Sequence, residues 1–156
     1  MAKPLLRGSA MIRSNLAVLA PVPEPQRPPD LSLVVPAYNE EASLPALYDR
    51  IVETLGDRLR WELILVDDGS RDRTAERATA LSKRDSRVRA ASLVRNSGQT
   101  TATRVGIELA RALLIATLDA DLQNDPSDLP AMIDLLVENP DVHAIVGYRM
   151  VRRDNL

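Results

Sequence analysis

The chain has 156 residues, 45% of them hydrophobic, and a formal net charge of −2, enough for one domain with a sizeable core. It holds no cysteine, a single histidine (His143) and few aromatics. Disulfides, thiolate zinc sites, cysteine nucleophiles, multi-imidazole centres and base-stacking platforms are therefore excluded, and the charge balance gives no support to a nucleic-acid surface.

Any chemistry must rest on carboxylates, hydroxyls, amides, arginines and a bound ion. Residues 1–30 differ from the rest. Lys3, Arg7 and Arg13 stand among apolar residues broken by Gly8, Ser9, Ser14 and Asn15, a poor signal peptide. Pro21, Pro23, Pro25, Pro28 and Pro29 favour an extended linker. Residues 1–30 are expected to form a disordered Pro-rich tail, and the folded domain to occupy 31–156. No apolar stretch approaches the ~20 residues of a bilayer span, so the expected compartment is the cytosol.

From Leu31 onward strands and helices alternate. Leu31–Ala37 reads as the first strand. Leu44, Leu47, Tyr48, Ile51, Val52 and Leu55 then recur at helical spacing within residues 40–55. Trp61–Val66 is the second strand, followed by a helix over 72–84 with Ser70 or Asp72 as its cap. Val88–Val94 and Leu113–Leu118 are further strands, flanking a helix over 99–111. A helix over 128–138, led by Asp125-Pro126-Ser127, precedes a fifth strand at Val142–Val146. Alternation with nearly continuous apolar strands predicts a mostly parallel sheet flanked by helices on both faces. Ligands of such sheets bind beyond the carboxyl ends of the strands.

Those ends carry the informative residues. Pro36-Ala37-Tyr38-Asn39-Glu40-Glu41 follows the first strand. Asn39 as a cap and glutamates in a positive first turn account for much of it, but not for Pro36 or Tyr38. Asp67-Asp68-Gly69-Ser70 follows the second, serving equally well as an Asp-Gly turn or as a carboxylate ligand for a ribose or base. Arg95-Asn96-Ser97-Gly98-Gln99 reads chiefly as a Gly-containing loop and cap, although a helix amino terminus there can hold an anion or a sugar hydroxyl.

Leu118-Asp119-Ala120-Asp121-Leu122-Gln123 follows the fourth strand. If the backbone stays extended, Asp119, Asp121 and Gln123 share one side, and two like charges on one side call for a cation between them. Oxygen ligands alone suit Mg²⁺ or Mn²⁺ bridging to phosphate. Arg149, after the fifth strand, reads either as a solvated surface arginine or, near a metal-diphosphate site, as a partner for phosphate. His143 is expected to be structural.

The stretches V-V-P-A-Y-N-E-E (34–41), V-D-D-G-S-R-D-R-T (66–74), R-N-S-G-Q (95–99), L-D-A-D-L-Q (118–123) and V-G-Y-R (146–149) resemble, in order, the family 2 glycosyltransferases of GT-A fold. The branch most similar in flavour comprises the dolichol-phosphate mannosyltransferases and undecaprenyl-phosphate glycosyltransferases. The resemblance implies a Rossmann-like nucleotide-sugar-binding domain. Pro36, Tyr38 and Glu40 would line the nucleotide pocket, Asp68 would contact base or ribose, and Asp119-Ala120-Asp121 would lie against the donor. Asp121 and Gln123, with Asp119 beside them, would hold Mg²⁺ or Mn²⁺, and Arg149 would contact the donor phosphates. The implied reaction is inverting transfer from a UDP- or GDP-linked sugar to a polyprenyl phosphate, with Asp119 and Asp121 catalytic. It would occur at the cytoplasmic face of a membrane, reached by peripheral association or through a separate membrane partner.

Two departures stand out. Ala112-Leu113 occupies the place of the family's usual Gly-Asp, and the acceptor-binding part that follows in the family is expected to be absent. A phospho-acceptor receiver domain would need a lysine after its last strand, and Lys3 and Lys83, the only lysines, precede Asp119. A dehalogenase-type phosphatase fails similarly, lacking a nucleophilic Asp on its first strand and a later lysine. The remaining rival is a catalytically silent nucleotide-sugar-binding or partner-binding fragment.

Overall fold

The computed structural model describes residues 16–18, as backbone, and 28–147. In chain order the elements are β1 (Leu16–Val18), β2 (Leu31–Ala37), α1 (Leu44–Leu55), β3 (Trp61–Asp67), α2 (Thr74–Arg84), β4 (Val88–Leu93), α3 (Gln99–Leu109), β5 (Leu114–Thr117) and α4 (Leu129–Glu138), the last preceded by a 3₁₀ turn at Pro126–Asp128. The sheet order is β1-β4-β3-β2-β5. Strands β4, β3, β2 and β5 run parallel, with Leu31 beside Trp61 on one side and beside Leu114 on the other.

Every residue of β2 and β3 is buried, the condition that makes a central parallel strand read as an unbroken apolar run. Alternate side chains feed two cores. Leu31, Leu33, Val35, Leu63 and Leu65 pack with Leu44, Leu47 and Ile51 of α1, Leu81 of α2 and Leu129 of α4. Each such buried aliphatic side chain contributes about 1.5–3 kcal/mol. Val34, Ile64 and Val66 pack on the other face against Ala102 and Val105 of α3. Helix α3 comes so close to β2 that a Cβ on Gly106 would lie 2.3 Å from Val34 Cγ1.

At the amino ends of the strands a buried ionic cluster ties four of them together. Glu62 of β3, 1% exposed, accepts from Ser32 Oγ of β2 at 2.6 Å and from Arg111 N and Nε, just before β5, at 2.8 and 2.9 Å. Arg89 of β4 completes it. Burial pushes the Glu62 carboxyl up, but the hydrogen bonds from Ser32 and Arg111 outweigh it and hold the group below its usual range.

The structure corrects the sequence reading at three points. Residues 142–146 do not form a strand: beyond the turn in which Val142 N donates to Asn139 O, they have no regular structure. Val142 and Val146 are exposed, so among the described residues this run lacks the neighbouring edge and burial on which strand propensity depends. Within the expected tail, Leu16–Val18 pairs antiparallel with β4, Ala17 opposite Ser92, because a short extended segment satisfies the open edge that β4 would otherwise present. The remainder of residues 1–27 lies outside the described residues. Asn39 is not a helix cap: α1 starts at Leu44, and Asn39 sits in the left-handed region at φ 57°. Asp72 does help start α2, its Oδ1 accepting from Thr74 N at 2.9 Å.

The chain runs outward from β2 through β3 to β4, then crosses back over the sheet so that β5 lies beside β2. The strand order reverses between β2 and β5, and a crevice opens beyond their carboxyl ends at this switch point.

Candidate functional site

A cleft of about 340 Å³ occupies that crevice. It is lined by Pro36, Ala37, Tyr38 and Glu40 after β2, Asp68 after β3, Asn96, Gly98 and Gln99 after β4, and Asp119, Ala120 and Asp121 after β5. Four strand ends thus converge as the spacing of the motifs predicts.

The β2 and β3 exits are laced together. Asn39 N donates to Ser70 Oγ at 2.9 Å, and Asn39 Oδ1 accepts from Arg71 N at 2.9 Å. Glu40 N donates to Thr74 Oγ1 at 2.7 Å, and Ser43 Oγ donates to the Glu40 carboxylate. Side-chain-to-backbone bonds of this kind fix a loop that has no ladder of its own. They leave Tyr38 half-exposed on the cleft wall.

Asp67 and Asp68 are 2% and 3% exposed, and both carboxylates are occupied. Asp67 accepts from Ser70 N at 3.2 Å and Ser92 Oγ at 2.6 Å. Asp68 Oδ1 and Oδ2 accept from Ser97 N and Gly98 N, each at 2.8 Å. These N–H groups lead into the amino terminus of α3, whose partial positive charge offsets the buried carboxylate. Gly69, at φ 67°, makes the approach feasible: a Cβ there would lie 2.5 Å from Arg95 C and 2.6 Å from Asn96 N.

The β5 exit is different. Leu118 N extends the ladder by one bond to Val34 O. Leu118 and Ala120 are buried while Asp121 is exposed and Asp119 intermediate, so the two acids alternate with the core residues as a period of two requires. The extended backbone does not persist, however. Leu122 turns into the left-handed region at φ 62°, and Gln123 is exposed and absent from the cleft lining. Gln123 is tied to Asp121 instead through its backbone, Gln123 N donating to Asp121 Oδ1 at 3.0 Å. The Asp119 carboxylate is gripped by two side-chain amides, Gln99 Nε2 on Oδ1 at 2.6 Å and Asn124 Nδ2 on Oδ2 at 3.1 Å. Asp125 accepts from Ser127 N at 3.0 Å and starts the next turn.

Of the residues singled out from the sequence, Pro36, Tyr38, Glu40, Asp68, Asp119, Ala120 and Asp121 meet at one cleft. Gln123 stands beside it, and Arg149 lies outside the described residues. His143 is exposed and lines no part of the cleft. Sequence reasoning missed the role of Gln99, read chiefly as part of a loop and cap, and of Asn124. The signal for both was chemical: a half-buried carboxylate needs donors, and these amides are the neutral donors at hand.

The electrostatics of the cleft bear on metal binding. Its described lining holds Glu40, Asp68, Asp119 and Asp121 but no lysine, arginine or histidine, and among the described residues no three His, Cys, Asp or Glu side chains cluster as a ready metal cage. The Asp119 and Asp121 carboxylates are an oxygen-only, incomplete set, with Gln123 turned aside, and would suit a hard divalent ion that keeps much of its water.

A mostly parallel sheet with helices on both faces and an acidic cleft at its switch point is the architecture of a GT-A domain, and the structural comparison assigns that fold. Among solved structures, the mannosyltransferase PcManGT from Pyrobaculum calidifontis, determined with GDP-Man and Mn²⁺, has this fold. It matches with a TM-score of 0.60 and 22% identity over 74% of the chain and 34% of that protein. The family model for glycosyl transferase family 2 matches residues 32–156, and the chain belongs to that family. It is 46% identical over 135 residues to the dodecaprenyl-phosphate galacturonate synthase of Rhizobium johnstonii, across 85% of the chain and 40% of that enzyme. It is also 46% identical over 127 residues to an undecaprenyl-phosphate 4-deoxy-4-formamido-L-arabinose transferase of Pseudomonas aeruginosa, across 80% of the chain and 37% of the relative. The chain thus spans about two fifths of the length of these relatives.

Proposed function

We propose that the cleft is the donor site of a metal-dependent, inverting glycosyltransferase that moves a sugar from a UDP- or GDP-linked donor to a polyprenyl phosphate. The observation that carries this reading is the convergence of Tyr38, Glu40, Asp119 and Asp121 at the switch point of a family 2 domain. The acceptor class is supported by the relatives, two of which are named for prenyl-phosphate acceptors.

In this reading Pro36, Tyr38 and Glu40 form the nucleotide wall, and Tyr38 offers a ring face to the base. Asp68 acts on the nucleotide chiefly through the loop it holds, since both its oxygens already accept backbone N–H groups. Asp121, with Gln123 and Asp119, would hold Mg²⁺ or Mn²⁺. Once bound, the ion stabilises negative charge on the departing nucleoside diphosphate. The acceptor phosphate is already anionic, so its oxygen attacks the anomeric carbon without a general base. The bond from that carbon to the diphosphate breaks on the opposite side, and the configuration inverts. Arg149 is proposed to add a cation to the donor phosphates. A lipid acceptor calls for work at a membrane surface, and we propose its cytoplasmic face, reached by peripheral association or through a membrane partner. Among the described residues no helix is long and apolar enough to cross a bilayer.

An acidic lining without a described cation repels a diphosphate, so donor binding should be weak and depend on the metal. The check is to mix the chain with GDP-mannose or UDP-glucose, Mn²⁺ and a polyprenyl phosphate, following donor binding and product separately. Metal-dependent donor binding is expected, and donor binding unaffected by chelation contradicts the site.

A further inference from the structure

We infer that Gln99 is a positioning residue for Asp119, and that Asp68, Gln99 and Asn124 together aim this carboxylate into the cleft. The inference rests on the donor-site reading above and adds residues to it.

The geometry runs through three links. Asp68, anchored at the end of β3, fixes Ser97 N and Gly98 N at 2.8 Å each. That sets the start of α3, whose first residue is Gln99. Gln99 Nε2 then reaches across the cleft to Asp119 Oδ1 at 2.6 Å, and Asn124 Nδ2 holds Oδ2 from the other side at 3.1 Å. An ionised carboxylate only accepts, so the glutamine must present its NH₂ and not its carbonyl.

The choice of an amide matters. A lysine at this place would neutralise Asp119 and compete with any cation brought by the donor. Neutral donors restrict the orientation of the carboxylate, leave its charge intact and use only some of its lone pairs. Supporting residues of this kind orient the groups that contact a ligand or metal, and their loss weakens binding without touching the ligand.

The test uses the whole chain. Calorimetry with GDP-mannose or UDP-glucose plus Mn²⁺ is run on the wild type, Gln99→Ala, Gln99→Glu, Asp119→Asn, Asp121→Ala and the double variant Gln99→Ala/Asp119→Asn. Removing a hydrogen bond to a charged group is expected to weaken donor affinity about tenfold in Gln99→Ala, and Gln99→Glu, which sets an acceptor against an acceptor, should lose more. A residue needed only to start α3 behaves otherwise, because a glutamate in the first turn favours a helix. Unfolding midpoints should therefore hold in Gln99→Glu while affinity falls.

The double variant separates positioning from direct contact. If Gln99 acts through Asp119, the double variant is no weaker than Asp119→Asn alone. Losses that multiply show that Gln99 touches the donor itself and overturn the inference. Wild-type affinity in Gln99→Glu, with binding lost in Asp121→Ala, overturns the inference and leaves the donor site standing. A wild type that binds neither donor with Mn²⁺ overturns both. The contact has its own readout in the free protein: the Gln99 side-chain amide resonances should shift in Asp119→Asn, and unmoved resonances contradict the clamp.

Discussion

Two pairs of aspartates at strand ends, Asp67-Asp68 and Asp119/Asp121, have opposite characters. Asp67 and Asp68 are almost fully buried, and their oxygens accept from backbone N–H groups and a serine. Asp119 is half-buried and Asp121 exposed, and among the described residues Asp119 is held by side-chain amides. The first pair is part of the scaffold: it joins the β3 exit to the β4 exit and sets where α3 begins. The second pair stands where the scaffold leaves charge facing a cleft. Adjacent carboxylates at a strand end are therefore no sign of a ligand site by themselves, and what decides is whether the protein has already satisfied them.

The comparison can be broken most severely at Asp68. Asp68→Ala removes a buried carboxylate that accepts from two loop N–H groups, and its expected cost is about 3 kcal/mol in urea unfolding, the upper end for bonds to a charged group. A loss below about 1 kcal/mol would mean that the loop does not depend on this carboxylate. Next comes Gly69→Ala, where a side chain meets both positive φ and the backbone of Arg95 and Asn96. About 2 kcal/mol is expected, and an unchanged midpoint contradicts the close approach. By contrast, Asp121→Ala should alter stability by no more than about 0.5 kcal/mol, as exposed positions do, and a large loss there would make it a second scaffold acid.

A further carboxylate, at the other end of β3, sharpens the contrast through pH. Glu62 has its carboxyl held below its ordinary 4.5 by Ser32 and Arg111 despite burial. The unfolded chain therefore takes up the proton first. This contribution to stability is present above pH 4.5 and is lost as pH falls through the lower folded value. Urea midpoints measured from pH 6 downward should drop in that window. In Glu62→Gln the slope there should flatten although the variant is less stable throughout, and an undiminished slope assigns the acid response to other groups.

Much of this was legible in the residues. The apolar runs of β2 and β3, the spacing of Leu44, Leu47, Tyr48, Ile51 and Leu55, and the Asp125 turn all follow from local rules of burial, periodicity and capping. So does the gathering of Pro36, Tyr38, Glu40, Asp68, Asp119 and Asp121, because parallel strands bring their carboxyl ends to one edge. What escaped depends on partners distant in the chain. Leu16–Val18 is a strand only because β4 has an open edge, and Val142–Val146 is not one because it meets no edge among the described residues. The saturation of Asp68 by Ser97 and Gly98, and the grip of Gln99 on Asp119 across 20 residues, are tertiary contacts with no local signature. Leu122 likewise turns where alternation suggested a continuing strand, and that turn displaces Gln123 from the cleft lining.

The central claim is that Asp121 serves a ligand while Asp68 serves the fold. Its most direct test is calorimetric titration of GDP-mannose or UDP-glucose into the wild type and into Asp121→Ala, each with Mn²⁺ and with chelator. The account predicts binding by the wild type with Mn²⁺ alone, and none by a fully folded Asp121→Ala under either condition. Equal binding by both proteins, or binding that survives chelation, would contradict it.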